Sequence, residues 1–240
     1  MKALYSFEKD KLLHSGRIIV PLLLMIGYIG IAYAVAPLDI LSSFSIGALV
    51  VFILSLSVGI MDAGLSNPMI EQAMWVKLPV KRLFFLSRAV LMAAVALAFA
   101  LLSTLAPLLI HLCNGSALFK RPVSLADMLS GFALFWLVSF SGGMAGQFTS
   151  PRLIRDRRMA ILLGSAFGVL AVVKGALIKK AAWLVYLLWF LPPVYDLTAA
   201  YSADSVLVFS GVWPFFLWMA LYAAAETVLY VWIMTKRRFE

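Results

Sequence analysis

Charged residues are scarce in this chain of 240 residues. Aspartate, glutamate, lysine and arginine together make up 13% of it, whereas hydrophobic residues make up 64%. A soluble domain of this length cannot bury so large an apolar fraction. The composition therefore predicts an all-α polytopic membrane protein, in which lipid rather than water covers the outer apolar side chains.

Cysteine and histidine are also rare, and this limits the chemistry that the chain can perform. The single Cys113 excludes an internal disulfide and any metal site built from several cysteines. The two histidines, His14 and His111, form no His-Glu-x-x-His motif, and no Gly-x-x-x-x-Gly-Lys-Ser/Thr phosphate-binding loop occurs. We therefore expect a protein that is not itself an enzyme and that holds no cofactor or metal of its own.

Long apolar runs predict six membrane spans, because a helix of roughly 20 residues crosses a hydrocarbon core about 30 Å thick. The segment before the first run interleaves charges with apolar residues such as Leu4 and Phe7. This pattern predicts an amphipathic helix along the membrane rather than a cleavable signal peptide.

The six predicted spans are Ile18–Ala36, Ser43–Ile60, Ala89–Leu112, Met128–Phe148, Met159–Leu177 and Val212–Thr235.

A seventh apolar run, Ala181–Val194, is too short to be a typical span. It contains Pro192 and Pro193, and proline breaks a helix because it lacks a backbone N–H. Runs of this length are typical of re-entrant or interfacial segments. We expect an excursion on the extracytoplasmic side that enters the membrane and returns before the last span.

The basic residues are unevenly distributed between the two sides of this layout. Fifteen of the twenty lysines and arginines fall on the side of both termini and of the segment Met61–Arg88. Cytoplasmic loops carry an excess of lysine and arginine. The pattern predicts a multi-pass protein of the cell (inner or plasma) membrane with both termini in the cytoplasm, and it explains the net charge of +9 without nucleic-acid binding.

Two pairs of glycines have a spacing that lets membrane helices approach closely. Gly142 and Gly146 lie near the end of the fourth span, and Gly164 and Gly168 lie near the start of the fifth. Small residues four apart on a helix leave room for a neighbouring backbone. We expect these pairs to pack the fourth and fifth spans together; the alternative is that one pair forms a seam between two copies of the chain.

One charged, amphipathic segment, Asn67–Arg88, separates the second and third spans. It predicts a short helix that docks into a soluble subunit through polar contacts and an apolar knob, with basic residues holding the return to the membrane against lipid phosphates. The alternative is an interfacial helix that only anchors the chain. The candidate docking residues are Glu71, Gln72, Met74, Trp75, Pro79, Lys81 and Arg82, and Arg88 is the last of the basic residues.

The segment and the order of the spans resemble the type-2 permeases of ATP-binding-cassette (ABC) exporters. After the second span these permeases show a degenerate pattern close to Gly-Thr-Ile/Leu-Glu, then Leu-Pro, a small residue and arginine, and finally lysine. Pro68-Met69 stands here in place of the Gly-Thr, and Arg88 in place of the final lysine. The matching elements are Met69-Ile70-Glu71, Leu78-Pro79, Lys81-Arg82 and Arg88.

The resemblance implies one transmembrane permease domain over residues 1–240 that contacts a separate ATPase subunit through a coupling helix. It implies a dimer of two permease chains, identical or homologous, with ATP and Mg²⁺ bound by the ATPase partners. The cargo would be an amphipathic or hydrophobic peptide, drug-like molecule or lipid-linked compound. Two other classes stay open: an ion-gradient-driven transporter, which would have several intramembrane charges, and a non-transporting assembly subunit.

Glu226 is the only acidic residue deep within a predicted span. A carboxyl at that depth is costly in lipid, so it either has a function or is held by internal hydrogen bonds. Lys174 lies nearer to the outer boundary, and we expect it to pair with Glu226 weakly at best. The candidate residues for an apolar, aromatic transport path are Glu226, Tyr28, Phe52 and Phe167.

Overall fold

The computed structural model describes residues 2–65, 68–78, 82–114, 118–203 and 206–236. Within these ranges the regular elements are α-helices, and an isolated bridge between Leu38 and Phe119 is the only β-type pairing. In chain order the helices are α1 (Lys2–His14), α2 (Ile19–Ala32), α3 (Ile40–Ala63), α4 (Pro68–Lys77), α5 (Arg82–Cys113), α6 (Leu125–Gln147), α7 (Arg157–Lys180), α8 (Leu184–Leu187), α9 (Val194–Tyr201) and α10 (Phe209–Lys236).

Five of the described helices, α3, α5, α6, α7 and α10, are long and apolar enough to cross a membrane. This confirms the prediction of an all-helical, multi-pass membrane protein. The first predicted span, Ile18–Ala36, is shorter than expected, because its helix α2 has 14 residues. A sixth span results only if α1 and α2, which meet at an angle of 69°, are counted as one bent element.

The bend between α1 and α2 lies at Gly16. Its φ of +67° is left-handed, a conformation that glycine adopts without a steric penalty and that commonly ends a helix. Beyond this turn α2 packs on α3, whereas α1 packs against α5. The N-terminal segment is therefore a separate helix; its position along the membrane surface stays a prediction.

Local signals in the sequence set the starts of three spanning helices. Asp39 caps α3 by accepting hydrogen bonds from the N–H groups of Leu41 and Ser42, at 3.1 and 3.2 Å. Ser124 and Asp127 form a reciprocal capping box at the start of α6, and the Asp156 side chain caps α7. Each cap satisfies backbone N–H groups that have no partner within their own helix.

The parallel helices α3 and α6 form the centre of the bundle. In each of these two helices, 61% of an apolar stretch of 18 residues is buried inside the protein, compared with 22% of such a stretch in α10. Small residues let the two backbones approach closely: a Cβ added to Gly146 would lie 2.5 Å from the carbonyl oxygen of Leu56. The Ser55 hydroxyl of α3 donates a hydrogen bond to the Ser139 carbonyl of α6.

The two glycine pairs both face α3, whereas the sequence analysis expected them to pack the fourth and fifth spans together. A Cβ on Gly142 or Gly146 of α6 would meet the α3 backbone, and one on Gly164 of α7 would come within 2.8 Å of Ile60 Cδ1. Gly168 of α7 faces the Leu56 side chain of the same helix α3. The physical reason is that α3 carries small residues of its own and can therefore accept close neighbours on two sides.

The run Ala181–Val194 contains no helix long enough to span. The short helix α8 lies within the run and has 4 residues. Helix α9 begins at the last residue of the run and has 8. Helix α9 packs against α3, where the Ser45 hydroxyl donates to the Thr198 carbonyl at 2.8 Å. It also packs against α7, where Lys174 pairs with Asp196 at 2.7 Å. Lys174 thus pairs with α9 and Glu226 with Ser141, in line with the expectation that Lys174 and Glu226 interact weakly at best.

The close approach of α3 and α6 generates the first prediction. Gly146→Ala should destabilise the protein by about 1–3 kcal/mol, because the new methyl group has no room against the α3 backbone. Thermal unfolding of the detergent-solubilised chain measures the effect.

Gly30→Ala is the matched control: nothing lies within 4 Å of a Cβ added there. Because alanine favours a helix over glycine by up to about 1 kcal/mol, this control should melt at the same or a higher temperature. Equal melting of the two variants would contradict the packing described.

Candidate functional site

Several helices meet at one end of the bundle, which we call the basic end. It consists of α1 and α4, the first turns of α5 and α7, the connection between α6 and α7, and the last turns of α3, α6 and α10. Polar contacts join these elements: Arg88 of α5 contacts both α1 and α4, and Lys11 of α1 contacts Asp62 of α3. Arg152, in the connection after α6, donates to the Met234 carbonyl of α10 at 3.1 Å.

Arg88 is held between two carboxylates from two different helices. Its side chain is 1% exposed, and its Nε donates to Glu8 Oε1 of α1 at 3.2 Å. Its Nη2 donates to the carboxylate of Glu71 in α4. The guanidinium also lies 5.0 Å from the centre of the Phe84 ring. One buried side chain thus joins α1 and α4 to the first turns of α5.

A second set of contacts extends this pairing to the centre of the bundle. The ammonium group of Lys11 pairs with Glu8 and lies 3.3 Å from Asp62 Oδ1 at the end of α3. The side-chain amide of Gln147 in α6 donates to Asp62 Oδ2 at 2.8 Å, and the Tyr230 hydroxyl of α10 donates to Gln147 at 3.5 Å. We call this set the buried cluster: Glu8, Lys11, Asp62, Glu71, Arg88, Gln147 and Tyr230.

Burial makes the charges of this cluster depend strongly on one another. Burial alone would raise the pKa of Glu8, but Arg88 and Lys11 outweigh it and hold that pKa below its ordinary value. Glu8 is therefore ionised at neutral pH. Removing one partner from such a group leaves an uncompensated charge away from water, which is far more costly than removing an exposed one. Among the residues that the structure describes, no three His, Cys, Asp or Glu side chains are grouped to hold a metal ion.

Helix α4 has a buried face and an exposed face. Glu71, which the sequence analysis expected to contact a soluble partner, is 3% exposed and faces Arg88. Arg88 likewise lies inside the bundle instead of at lipid phosphates. The physical reason is that a buried guanidinium needs an anion, and α4 supplies one. Among the α4 side chains that the structure describes, the exposed ones are Met69, Gln72, Ala73 and Val76, with Met69 80% and Val76 78% exposed.

The other candidate docking residues have different positions. Met74 is half-buried and packs against the hydrophobic core, and Arg82 is exposed at the start of α5. Pro79 and Lys81 lie outside the described residues, as does the side chain of Trp75. The described part of the outer face of α4 thus consists of one amide and three apolar or small side chains.

The four candidate path residues contact different neighbours. Glu226 is 8% exposed and accepts a hydrogen bond from the Ser141 hydroxyl at 2.9 Å. Phe52 is fully buried where α3 meets Gly142. The Phe167 ring lies 6.5 Å from that of Phe190, and Tyr28 faces Gly47.

Two cavities are open at the surface of the described chain. An apolar cleft of about 530 Å³ lies between α6 and α10, and a cavity of about 280 Å³ lies at the basic end between α3 and α7. None of the four candidate path residues lines either of them. A path through Glu226, Tyr28, Phe52 and Phe167 therefore stays a prediction.

Sequence reasoning missed most of the buried cluster. Glu8 and Lys11 are ordinary charges of an amphipathic segment when read locally, and nothing in their spacing indicates Arg88 as a partner. A usable signal exists at Asp62 and Gln147, because each polar residue ends a long apolar run on one of two parallel spans. Polar residues at equal depth on neighbouring helices are candidates for a shared hydrogen bond.

No protein-family model matches the chain, and neither does any curated protein or solved structure. The resemblance to exporter permeases therefore depends on the Glu71–Arg88 pattern and on the order of the helices. Within that pattern the first acidic and the last basic residue, Glu71 and Arg88, contact each other in the structure.

The buried cluster generates the second prediction. Arg88→Met should destabilise the protein by about 3–5 kcal/mol, because Glu8 and Glu71 then remain buried without their shared cation. Arg158→Met is the matched control: Arg158 is exposed at the same end, and its loss should change stability by no more than about 0.5 kcal/mol. Thermal or denaturant unfolding in detergent measures both.

A rescue experiment separates charge from packing. Adding Glu8→Gln and Glu71→Gln to Arg88→Met removes the uncompensated carboxylates, so the triple variant should recover part of the lost stability. If Arg88→Met unfolds at the same temperature as Arg158→Met, Arg88 does not hold the basic end together.

Proposed function

We propose that this chain is the membrane-spanning subunit of an ABC exporter, moving an amphipathic or hydrophobic cargo outward with ATP hydrolysed by a separate subunit. The observation that supports this most directly is the division of α4 into two faces. Glu71 ties the inner face to Arg88, whereas Met69, Gln72, Ala73 and Val76 leave the outer face exposed. A helix that is firmly attached inside and apolar outside suits a soluble partner.

The buried cluster supports the transmission of force from α4 to the spans. A partner that moves α4 also moves Arg88, because separating Glu71 from the buried guanidinium is costly. Glu8 and Lys11 extend the connection to Asp62 at the end of α3. In this proposal Glu71 attaches α4 to the bundle, and Gln72 with its apolar neighbours contacts the ATPase.

The proposal includes an assembly and an orientation. Two permease chains, identical or homologous, combine with ATPase subunits that bind ATP and Mg²⁺, and the basic end faces the cytoplasm. The alternatives are an ion-gradient-driven transporter and a non-transporting assembly subunit. Glu226 is the one acidic residue deep within a span, which is little for a route that moves ions.

Association with an ATPase is the third prediction. The tagged full-length chain, purified in mild detergent from its native cells, should bring down an ATPase subunit that turns over ATP. The double variant Met69→Asp/Val76→Asp should reduce the recovered ATPase by about tenfold or more, because it puts a charge at each end of the apolar docking face. Chain abundance in the membrane should not change, since both side chains are exposed.

Lys9→Gln is the control for this experiment, because Lys9 is an exposed residue of α1 at the same end of the bundle. Recovery of ATPase with this variant should equal that of the unaltered chain. Absence of any ATPase from the unaltered preparation would favour one of the alternative classes. Full recovery of the ATPase with the double variant would show that α4 is not the docking helix and serves only as a membrane anchor.

Orientation is the fourth prediction, and the native cysteine tests it. Cys113 is exposed at the end of α5 that lies away from the basic end, so a membrane-impermeant thiol reagent added to intact cells should label it. In a Cys113→Ser background, Gln72→Cys on the outer face of α4 should be labelled only after the cells are permeabilised. Labelling of the cysteine at position 72 in intact cells would reverse the proposed topology.

A further inference from the structure

The cavity at the basic end has a mixed lining that neither the coupling helix nor the transport path uses. Its volume is about 280 Å³, and it lies between the last turns of α3, the connection after α6 and the first turns of α7. On α7 the lining extends from Arg157 to Ser165, which is about 12 Å along the helix axis. A cavity of this length at the end of spanning helices extends from the water boundary toward the hydrocarbon region.

One part of the lining is cationic. Arg155 and Arg157 both line the cavity and are both exposed, and none of the described residues that line it is acidic. Asp156 lies between them in sequence, but its carboxylate is used to cap α7, accepting a hydrogen bond from the Arg158 N–H at 2.9 Å. Arginine binds phosphate groups through its guanidinium N–H groups, so two arginines in the lining of one cavity suit a phosphate ligand.

Two of the three hydroxyl groups in the lining cannot replace these arginines, and the third, Ser165, lies about 12 Å along α7 from Arg157. The Ser57 hydroxyl donates its proton to the Ile53 carbonyl at 2.9 Å, and the Thr149 hydroxyl donates to the Gly146 carbonyl at 2.7 Å. Both hydroxyl groups are left as acceptors, which an anion does not need. Recognition of an anion therefore depends on Arg155 and Arg157.

The other part of the lining is apolar and borders the membrane-facing surface. Ile60, Ala160 and Ile161 belong to the lining. Beside them on α7, Met159 and Leu162 are 51% and 66% exposed, which is typical of side chains in contact with lipid. A ligand that fills the cavity needs an anionic group at one end and a hydrocarbon part at the other.

We propose that this cavity binds the phosphate headgroup of an anionic phospholipid, with Arg155 and Arg157 on the phosphate and the start of an acyl chain against Ile60 and Ile161. Basic pockets between membrane helices on the cytoplasmic side suit such headgroups. A zwitterionic lipid presents its own cation to the two arginines, and free phosphate leaves the apolar part of the cavity empty. The inference requires a membrane protein with its basic end at the bilayer surface, and it does not depend on the cargo or the ATPase.

Lipid titration followed by native mass spectrometry tests the proposal. The detergent-solubilised full-length chain is titrated with dioleoyl phosphatidylglycerol and, separately, with dioleoyl phosphatidylcholine. Saturable binding of phosphatidylglycerol should exceed that of phosphatidylcholine, and Arg155→Gln or Arg157→Gln should each weaken it by about fivefold. Arg158→Gln is the matched control, because it removes an equal charge from the adjacent residue, which does not line the cavity.

Three results would overturn the proposal. Equal binding of the two lipids would show that the headgroup charge is not recognised. An equal loss of affinity in all three arginine variants would assign the effect to the diffuse charge of the basic end. Displacement of the lipid by inorganic phosphate at similar concentration would assign the arginines to a phosphate site that needs no hydrocarbon part.

Discussion

The burial of Arg88 is the constraint on which the basic end of this protein depends. A guanidinium removed from water needs carboxylates close by, and Glu8 and Glu71 come from two helices that lie outside the central bundle. The attachment of both α1 and α4 is thus tied to one cation. Such a cluster adds little net stability compared with apolar packing, but it makes any other placement of α4 expensive.

The close pairing of α3 and α6 complements this arrangement. Gly146 lets α6 approach the α3 backbone one residue before Gln147, so the side chain of Gln147 comes within hydrogen-bonding distance of Asp62. Backbone contact in the membrane core therefore positions the polar contact at its boundary. Along α3, the contact with α6 thus consists of close glycine packing followed, at the end of the helix, by the polar contacts of the buried cluster.

The spanning helices were predictable from sequence because they depend on properties of single segments. Apolar length predicts α3, α5, α6, α7 and α10 as spans, and the short run Ala181–Val194 contains no helix long enough to span. Contacts between two segments cannot be predicted in this way. The glycine spacing at Gly164 indicates that another helix packs there, but it does not indicate that this helix is α3. For the same reason the segment by itself predicts that Glu71 contacts a soluble subunit, since its pairing with Arg88 is a property of the folded chain.

The count of basic residues that predicts orientation also conceals different physical roles. Lys11 and Arg88 add to the excess at the basic end, yet both are engaged with carboxylates within the protein. Arg155 and Arg157 add equally to the count, but they are exposed and line a cavity whose described lining contains no acidic residue. A positive charge already compensated inside the fold has little attraction left for lipid phosphate, whereas an uncompensated one at the boundary retains it. The residues that orient the chain and those that interact with its surroundings must therefore be distinguished by their partners, which only the folded structure supplies.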